Sequence, residues 1–182
     1  MDRHTRFLLG FVLAIKRVAR RTEVFVFNTS LTRVTSAIAA GEIARTVERL
    51  ASGVPDWSGG TKIGESLSEF VSRHLERCVT HKSIVIIFSD GLDRGDTTLV
   101  AAAMRAIRSK ARRVIWLNPL AGDPRYEPTA RAMEAARPFI DRLAPAHNLE
   151  SLERLLPQLT WGCAPHPGSS GKAGTKFSFR GA

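Results

Sequence analysis

Residues 83–91 read SIVIIFSDG, and this stretch decides the fold. The apolar run from Ile84 to Phe88 predicts a strand that is covered on both faces, as in a parallel sheet. The strand is followed by Ser89, Asp90 and Gly91, which bring a hydroxyl, a carboxylate and a turn residue to its carboxyl end. In open α/β sheets, ligands bind outside the carboxyl ends of the strands. Asp90 is therefore the first candidate for a functional side chain.

Strands and helices alternate along the rest of the chain. Further strands are predicted at residues 23–28, 31–35, 114–117 and 139–143. Residues 23–28 contain the uninterrupted run VFVF and are expected to be covered on both faces, as in a parallel sheet, whereas 31–35 is an edge strand or hairpin partner. Helices are predicted at residues 6–19, 40–51, 63–78, 97–110, 129–137 and 149–156. Asp96 or Thr97 is expected to cap the fourth of them. Asp93 is expected to cap the same helix, with an enlarged acidic mouth as the alternative for Asp93 and Asp96. This order predicts an α/β domain with a mainly parallel sheet flanked by helices.

Length and composition indicate one reduced, cytoplasmic domain. The 182 residues are enough to bury a core, and no apolar stretch reaches the length of a membrane span. The first residues do not read as a signal peptide. Cys78 and Cys163 have no metal-type spacing. From Gly162 onward the sequence is rich in Gly, Ser, Pro and Lys, so we predict a domain over residues 1–160 and a disordered tail over 161–182.

The net charge of +10 leaves more than one class of partner open. Basic residues are spread over most of the chain, and no strand shows the aromatic residues interleaved with basic ones that are typical of a nucleic-acid surface. Solvated helix faces are the simpler interpretation, and an acidic protein partner fits the charge equally well. Binding to nucleic acid is therefore the less favoured alternative.

A second polar segment, residues 57–61, reads WSGGT. Its glycine turn presents the hydroxyl of Thr61, which together with the carboxylate of Asp90 could clamp one divalent cation. A hard cation prefers about six oxygens, so two protein ligands make a weak site. The alternatives are that Thr61 caps the following helix and that Asp90 and Gly91 form an ordinary strand-end turn. Trp57 is a candidate for contact with a partner, with packing as its alternative.

Several motifs together give the chain a family resemblance. They read EVFVF at 23–27, PDWSGGT at 55–61, SDGLDRGD at 89–96, RVIWLNP at 113–119, YEP at 126–128 and PAHNL at 145–149. With these, the chain resembles the von Willebrand factor A (VWA) domains of the CoxE-like group from about residue 5 to 159. The resemblance implies a Rossmann-like VWA fold and a metal-ion-dependent adhesion site that usually holds Mg²⁺. In that site, the family's threonine matches Thr61 and its aspartate matches Asp90.

The sequence departs from the family at its amino end. Nothing matches the family's Asp-x-Ser-x-Ser segment, and Met1 stands where that segment would end. The resemblance places the corresponding first strand in the middle of the sheet, between residues 23–28 and 83–89. Without it, these two strands either keep unpaired inner edges or close directly on each other. We therefore expect an N-terminally truncated domain, or a start upstream of Met1, and weak binding of Mg²⁺ by the two remaining ligands.

The leading functional hypothesis is a non-enzymatic protein-interaction module. An acidic side chain of a partner would complete the coordination of a cation held by Thr61 and Asp90. The resemblance further implies an accessory protein that acts with an AAA+ ATPase in the maturation of a molybdenum-containing, carbon monoxide dehydrogenase-type enzyme. The alternatives are a metal-assisted hydrolase with Asp90 as ligand, for which no general base is evident, and a basic nucleic-acid-binding protein.

Overall fold

A three-stranded parallel sheet organises the larger part of the structure. The structure is a computed structural model and describes residues 11–12, 15, 19, 21–27, 29–39, 45, 61–93, 95–122 and 130–146. The sheet has the order β3–β4–β5, with β3 at Ile84–Phe88, β4 at Arg113–Asn118 and β5 at Arg142–Pro145. Both pairs are parallel, with Ile86 opposite Ile115 and Trp116 opposite Leu143. The predicted α/β class with a parallel sheet is confirmed.

Apolar side chains cover both faces of this sheet. On one face, Trp116 and Ile87 join a core with Leu67 and Met104 from two helices. On the other face, Ile115 and Leu117 pack with Phe11 and Ile15, from a helical segment of which residues 11, 12 and 15 are described. Coverage on both faces is what the uninterrupted apolar runs of β3 and β4 predict.

The first two strands form a separate antiparallel hairpin. β1 is Phe25–Phe27 and β2 is Leu31–Arg33, with Val26 opposite Thr32. The prediction of a hairpin partner at 31–35 is confirmed, whereas β1 does not lie in the parallel sheet that its apolar run suggested. Its apolar side chains are partly buried. The Phe25 ring meets the Phe70 ring of a helix edge-on at 5.2 Å between centroids.

The helices are α1 at Thr35–Ala39, α2 at Ile63–Arg73, α3 at Leu75–Cys78, α4 at Thr97–Lys110 and α5 at Arg131–Ala136. Short 3₁₀ turns follow β4 at Pro119–Gly122 and α5 at Arg137–Phe139. The predicted helix 63–78 is interrupted at His74, whose ring packs beside Phe25 at 4.8 Å between centroids. Asp96 caps α4, as predicted, by accepting the amide hydrogen of Thr98 at 2.8 Å.

Other predictions shift or fall outside the described residues. The last strand begins at Arg142 and not near Phe139, which ends a 3₁₀ turn. Apart from residue 45, which is helical, the predicted helix 40–51 lies outside the described residues, as do helix 149–156, the tail from residue 161 and most of helix 6–19. Within the described part of the chain, no helix has the length and apolar character that a membrane crossing requires.

Candidate metal centre

Asp90 lies in a tight turn directly after β3. The amide of Ser89 still donates to the carbonyl of Leu117 at 3.0 Å, so the strand pairing continues up to the turn. The amide of Leu92 then donates to Asp90 Oδ1 at 3.0 Å. Gly91 has a φ of +83°, which L-residues rarely adopt, and an added Cβ would lie 3.1 Å from the Cβ of Met133. The turn after β3 is thus held in one conformation, with the carboxylate of Asp90 at its start.

Two fully buried side chains of β4 hold the backbone of this turn. The indole Nε1 of Trp116 donates to the carbonyl of Ser89 at 2.8 Å, and Nδ2 of Asn118 donates to the carbonyl of Asp90 at 3.2 Å. Both residues are 0% exposed. The sequence predicts Trp116 within the strand at 114–117 and leaves Asn118 directly after it, and it did not reveal their role here. The available signal was a polar side chain at the end of a fully apolar strand, because such a group needs a buried partner.

Thr61 lies just before α2, on a loop that contacts the loop after Asp90. The amide of Ile63, the first residue of α2, donates to Asp93 Oδ1 at 2.9 Å. The same oxygen accepts the amide of Gly95 at 3.1 Å. Thr61 precedes this link by two residues on one side, and Asp90 precedes it by three on the other. The hydrogen bond therefore joins the start of α2, just after Thr61, to the loop that follows Asp90.

This arrangement corrects the expectation for Asp93. Asp93 was expected to cap the following helix α4, but it binds the first amide of α2 instead, because its loop folds back toward that helix. The start of α2 at Lys62 has no side-chain cap of its own. Trp57 lies outside the described residues.

Two further carboxylate oxygens lie buried at the same junction. Glu65 Oε2 and Asp93 Oδ2 are inaccessible to solvent and have no hydrogen-bond partner within the described ranges. Glu65 reaches Gly95, where an added Cβ would collide with its carboxylate. Burying anionic oxygens without donors is costly, and a nearby cation would offset that cost. Acidic character is therefore concentrated where the loops of Thr61 and Asp90 meet.

The oxygen atoms of Thr61 and Asp90 are suitable ligands for a hard cation, but they are few. Hydroxyl and carboxylate oxygens are the ligands that Mg²⁺ accepts, and Mg²⁺ keeps several waters when a protein supplies only one or two carboxylates. Among the described residues, no group of three or more His, Cys, Asp or Glu side chains is arranged to hold a metal. A cation at Thr61 and Asp90 would thus retain exchangeable positions.

The described histidines lie away from this end of the sheet. His74 sits at the carboxyl end of α2, against Phe25, and His81 precedes β3 at the opposite end of that strand from Asp90. In the part of the chain that the structure describes, neither imidazole is placed to act as a general base beside Asp90.

Comparison with known proteins gives one match. The model of a protein family described as "VWA domain containing CoxE-like protein" matches residues 1–152, which include Thr61, Asp90 and the five strands that the structure describes. No curated protein matches the chain.

Proposed function

Because the chain belongs to the family of VWA domain containing CoxE-like proteins, we propose that it is a protein-interaction module whose binding depends on a cation held by Thr61 and Asp90. VWA domains mediate protein interactions, and domains of this family are in general non-catalytic accessory proteins. The family also fits a general accessory role associated with carbon monoxide dehydrogenase. Beyond this general role of the family, we propose the cation, its two protein ligands and the kind of partner.

One observation carries the proposal: the hydrogen bond from the amide of Ile63 to Asp93 Oδ1. It fastens the first residue of α2, two residues after Thr61, to the loop that follows Asp90 at the carboxyl end of β3, the end where α/β sheets bind ligands. The buried oxygens of Glu65 and Asp93 beside it add negative charge. A bound Mg²⁺ would offer an open coordination position to a carboxylate oxygen of another protein.

The role of each group of residues follows from its contacts. Thr61 and Asp90 would hold the ion. Trp116 and Asn118 fix the backbone of Ser89 and Asp90, so that the carboxylate of Asp90 is held before a partner arrives. A partner that approaches this end of the sheet with an Asp or Glu side chain would complete the coordination. We propose an AAA+ ATPase as this partner, in the maturation of a molybdenum-containing carbon monoxide dehydrogenase-type enzyme.

The described charges support this proposal over a nucleic-acid surface. Four basic side chains are paired with acidic ones on the surface: Arg33 with Glu23, Arg73 with Glu69, Arg108 with Asp141 and Lys110 with Glu76. Such pairs reduce the positive charge that phosphates would meet. Among the described residues, no histidine lies beside Asp90 to act as a general base, since His81 is at the opposite end of β3 and His74 is at the end of α2, and this disfavours a hydrolase.

A pull-down with an AAA+ ATPase from the same genome tests the proposal. We expect capture in Mg²⁺ and its loss in EDTA, since the partner's carboxylate has no ion to bind. Asp90→Asn and Thr61→Ala should each weaken capture by at least about tenfold. Asp96→Asn is the control, because it alters an exposed carboxylate that caps a helix without touching the loop of Thr61. Capture that is equal in Mg²⁺ and EDTA would contradict the proposed cation dependence.

A further inference from the structure

Among the described residues, the large apolar side chains that are well exposed lie in two neighbouring loops. Leu92 is 61% exposed and Leu120 is 46% exposed. Leu92 follows β3 in the turn of Asp90, and Leu120 follows β4 in the 3₁₀ turn that begins at Pro119. Because β3 and β4 are parallel neighbours, both leucines lie at the carboxyl end of the sheet. A single exposed leucine is common, whereas two at the same site indicate a contact surface.

A buried side chain joins the loops that carry these leucines. Oδ1 of Asn118 accepts the amide hydrogen of Leu120 at 2.8 Å, and Nδ2 of the same side chain donates to the carbonyl of Asp90 at 3.2 Å. The amide of Leu92 donates to Asp90 Oδ1 at 3.0 Å. The backbone of each leucine is therefore linked to Asp90, directly or through Asn118. The contacts that hold Asp90 also set the positions of both leucines.

Packing beneath the turn explains why Leu92 stays at the surface. An added Cβ on Gly91 would lie 3.1 Å from the Cβ of Met133, which is fully buried. The residue before Leu92 therefore rests directly on the core, and Leu92 lies on the outer side of the turn. An apolar side chain in this position stays in contact with water until another molecule covers it. Because its backbone is already held, little conformational freedom is lost when that happens.

We propose that Leu92 and Leu120 bind apolar side chains of a partner segment in which an acidic residue has an apolar residue within about two positions of it. This inference rests on the proposed function, since that acidic residue is the one that would bind the cation at Thr61 and Asp90. Leu92 is two residues from Asp90, so their Cα atoms lie at most about 7 Å apart. Two residues of an extended partner segment span the same distance.

The carboxylates beside the leucines favour this partner over a lipid surface. Asp90 accepts the amide hydrogen of Leu92, and buried oxygens of Glu65 and Asp93 lie at the same end of the sheet. Anionic membranes attract basic segments, so carboxylates at this position oppose binding to them. A carboxylate of a partner protein can approach once a cation offsets the negative charge. Binding of the cation and contact with the leucines would then act together.

A peptide titration followed by methyl NMR of the full chain tests this proposal. The probe is a synthetic peptide with one aspartate and a leucine two positions away on each side. One matched peptide has serines in place of the leucines, and another has asparagine in place of the aspartate. In Mg²⁺, we expect the probe to shift the methyl signals of Leu92 and Leu120 and to bind at least about tenfold more tightly than the serine peptide.

Variants of the chain assign this difference to the two leucines. Both side chains are exposed, so their replacement by serine should leave the fold intact, and the remaining methyl signals check this. The double variant Leu92→Ser and Leu120→Ser should bind the leucine and serine peptides equally. Leu92→Met, which keeps an apolar side chain, should retain the preference for the leucine peptide.

The outcomes separate this inference from the proposed function. Equal affinity of the leucine and serine peptides, with binding that is lost in EDTA, would overturn the inference and leave the proposed function standing. A preference for leucine that is unchanged in EDTA and with the asparagine peptide would overturn the cation dependence and the acidic residue of the partner. If no peptide shifts the two leucines, the inference fails, and the pull-down in Mg²⁺ and EDTA still decides the proposed function.

Two other occupants of this surface are tested in the same samples. Shifts of Leu92 and Leu120 with phosphatidylglycerol vesicles, and none with the leucine peptide, would assign the surface to a membrane. Shifts that grow with the concentration of the chain alone would assign it to a second copy. Either result would overturn the proposed partner segment.

Discussion

Trp116 shows how a single core residue supports the candidate site. Its ring is completely buried, and its Nε1 donates to the carbonyl of Ser89, the residue before Asp90. The indole therefore fills the core and also fixes the turn. An apolar ring of smaller size at this position would keep most of the packing and remove the donor.

We predict that Trp116→Phe lowers the free energy of unfolding by about 1–3 kcal/mol, because the buried carbonyl of Ser89 loses its partner and a small cavity opens. Urea unfolding monitored by circular dichroism measures this change. Arg113→Ala, an exposed substitution in the same strand, is the control and should change the free energy of unfolding by less than about 0.5 kcal/mol. A loss for Trp116→Phe no larger than that of the control would show that the hydrogen bond to Ser89 contributes nothing.

The sequence predicted the positions of Thr61 and Asp90 beside the ends of secondary structure elements, but not the contacts around them. Asp93 and Asp96 are both acidic residues just before a helix, and the sequence offered no way to tell their roles apart. Asp96 binds its own helix, whereas Asp93 binds the amide of Ile63, thirty residues earlier. A local pattern cannot reveal such a long-range partner, since the partner depends on how two loops meet in space.

At the scale of elements, the start of α4 shows the helix cap that the local sequence predicts. Asp96 Oδ1 accepts hydrogen bonds from both the hydroxyl and the amide of Thr98, at 2.8 Å each. These side-chain and backbone hydrogen bonds lower the pKa of Asp96 below its ordinary value of 3.8. The carboxylate therefore stabilises the folded state above pH 3.8, and this stabilisation is lost as the pH falls through the lowered pKa.

We predict that Asp96→Ala is less stable than the wild-type chain at pH 7 and that the difference shrinks as the pH falls below about 3.8. Thermal unfolding at a series of pH values measures the difference. Asp96→Ser is the matched control, because serine also caps helices but does not titrate in this range. It should preserve stability near pH 7 without the acid-dependent loss. A difference between wild type and Asp96→Ala that stays constant down to pH 2 would contradict the assigned cause.

Other elements show where a tertiary contact overrides the local pattern. The apolar run of β1 is compatible with a buried parallel strand, yet β1 pairs antiparallel with β2 and packs the partly buried Phe25 against Phe70. The helical pattern from residue 63 to 78 is continuous, yet the helix breaks at His74, whose ring lies on Phe25. The spacing of apolar residues along a segment indicates that the segment is buried, but it does not indicate which element covers it.

At the scale of the whole molecule, the distribution of charge matters more than its total. The net charge is +10, but the described surface pairs Arg33, Arg73, Arg108 and Lys110 with acidic side chains. Exposed pairs of this kind contribute little to stability. They do lower the local potential that a polyanion would meet.

We predict that binding of the AAA+ ATPase weakens by less than about tenfold between 50 and 200 mM salt at constant Mg²⁺, because a buried cation–carboxylate contact is screened little. A protein that binds through six to ten phosphate contacts loses about 10³–10⁵ in affinity over the same range. A fluorescence anisotropy titration with the labelled ATPase measures the dependence, and labelled duplex DNA serves as the comparison. Tight binding of the DNA with the steep salt dependence would favour the nucleic-acid alternative.

The fold was predictable at this scale in its class and in the parallel sheet, because strands 84–88 and 113–118 each carry an uninterrupted apolar run next to a helix. Among the described residues, the hairpin β1–β2 forms a sheet of its own, which the apolar run of β1 does not reveal because it carries no information about the pairing partner. Whether Thr61 and Asp90 share an ion stays a prediction.

Paramagnetic broadening by Mn²⁺, which accepts the same oxygen ligands as Mg²⁺, tests that prediction most directly. Two-dimensional ¹H–¹⁵N NMR spectra of the full chain are recorded during a Mn²⁺ titration, with Asp90→Asn as the matched variant. We expect selective broadening of the amide signals of Thr61, Ile63, Gly91 and Leu92, its reversal by excess Mg²⁺, and its absence in Asp90→Asn. Broadening that is centred on other residues, or that persists unchanged in Asp90→Asn, would show that these two loops do not hold the ion.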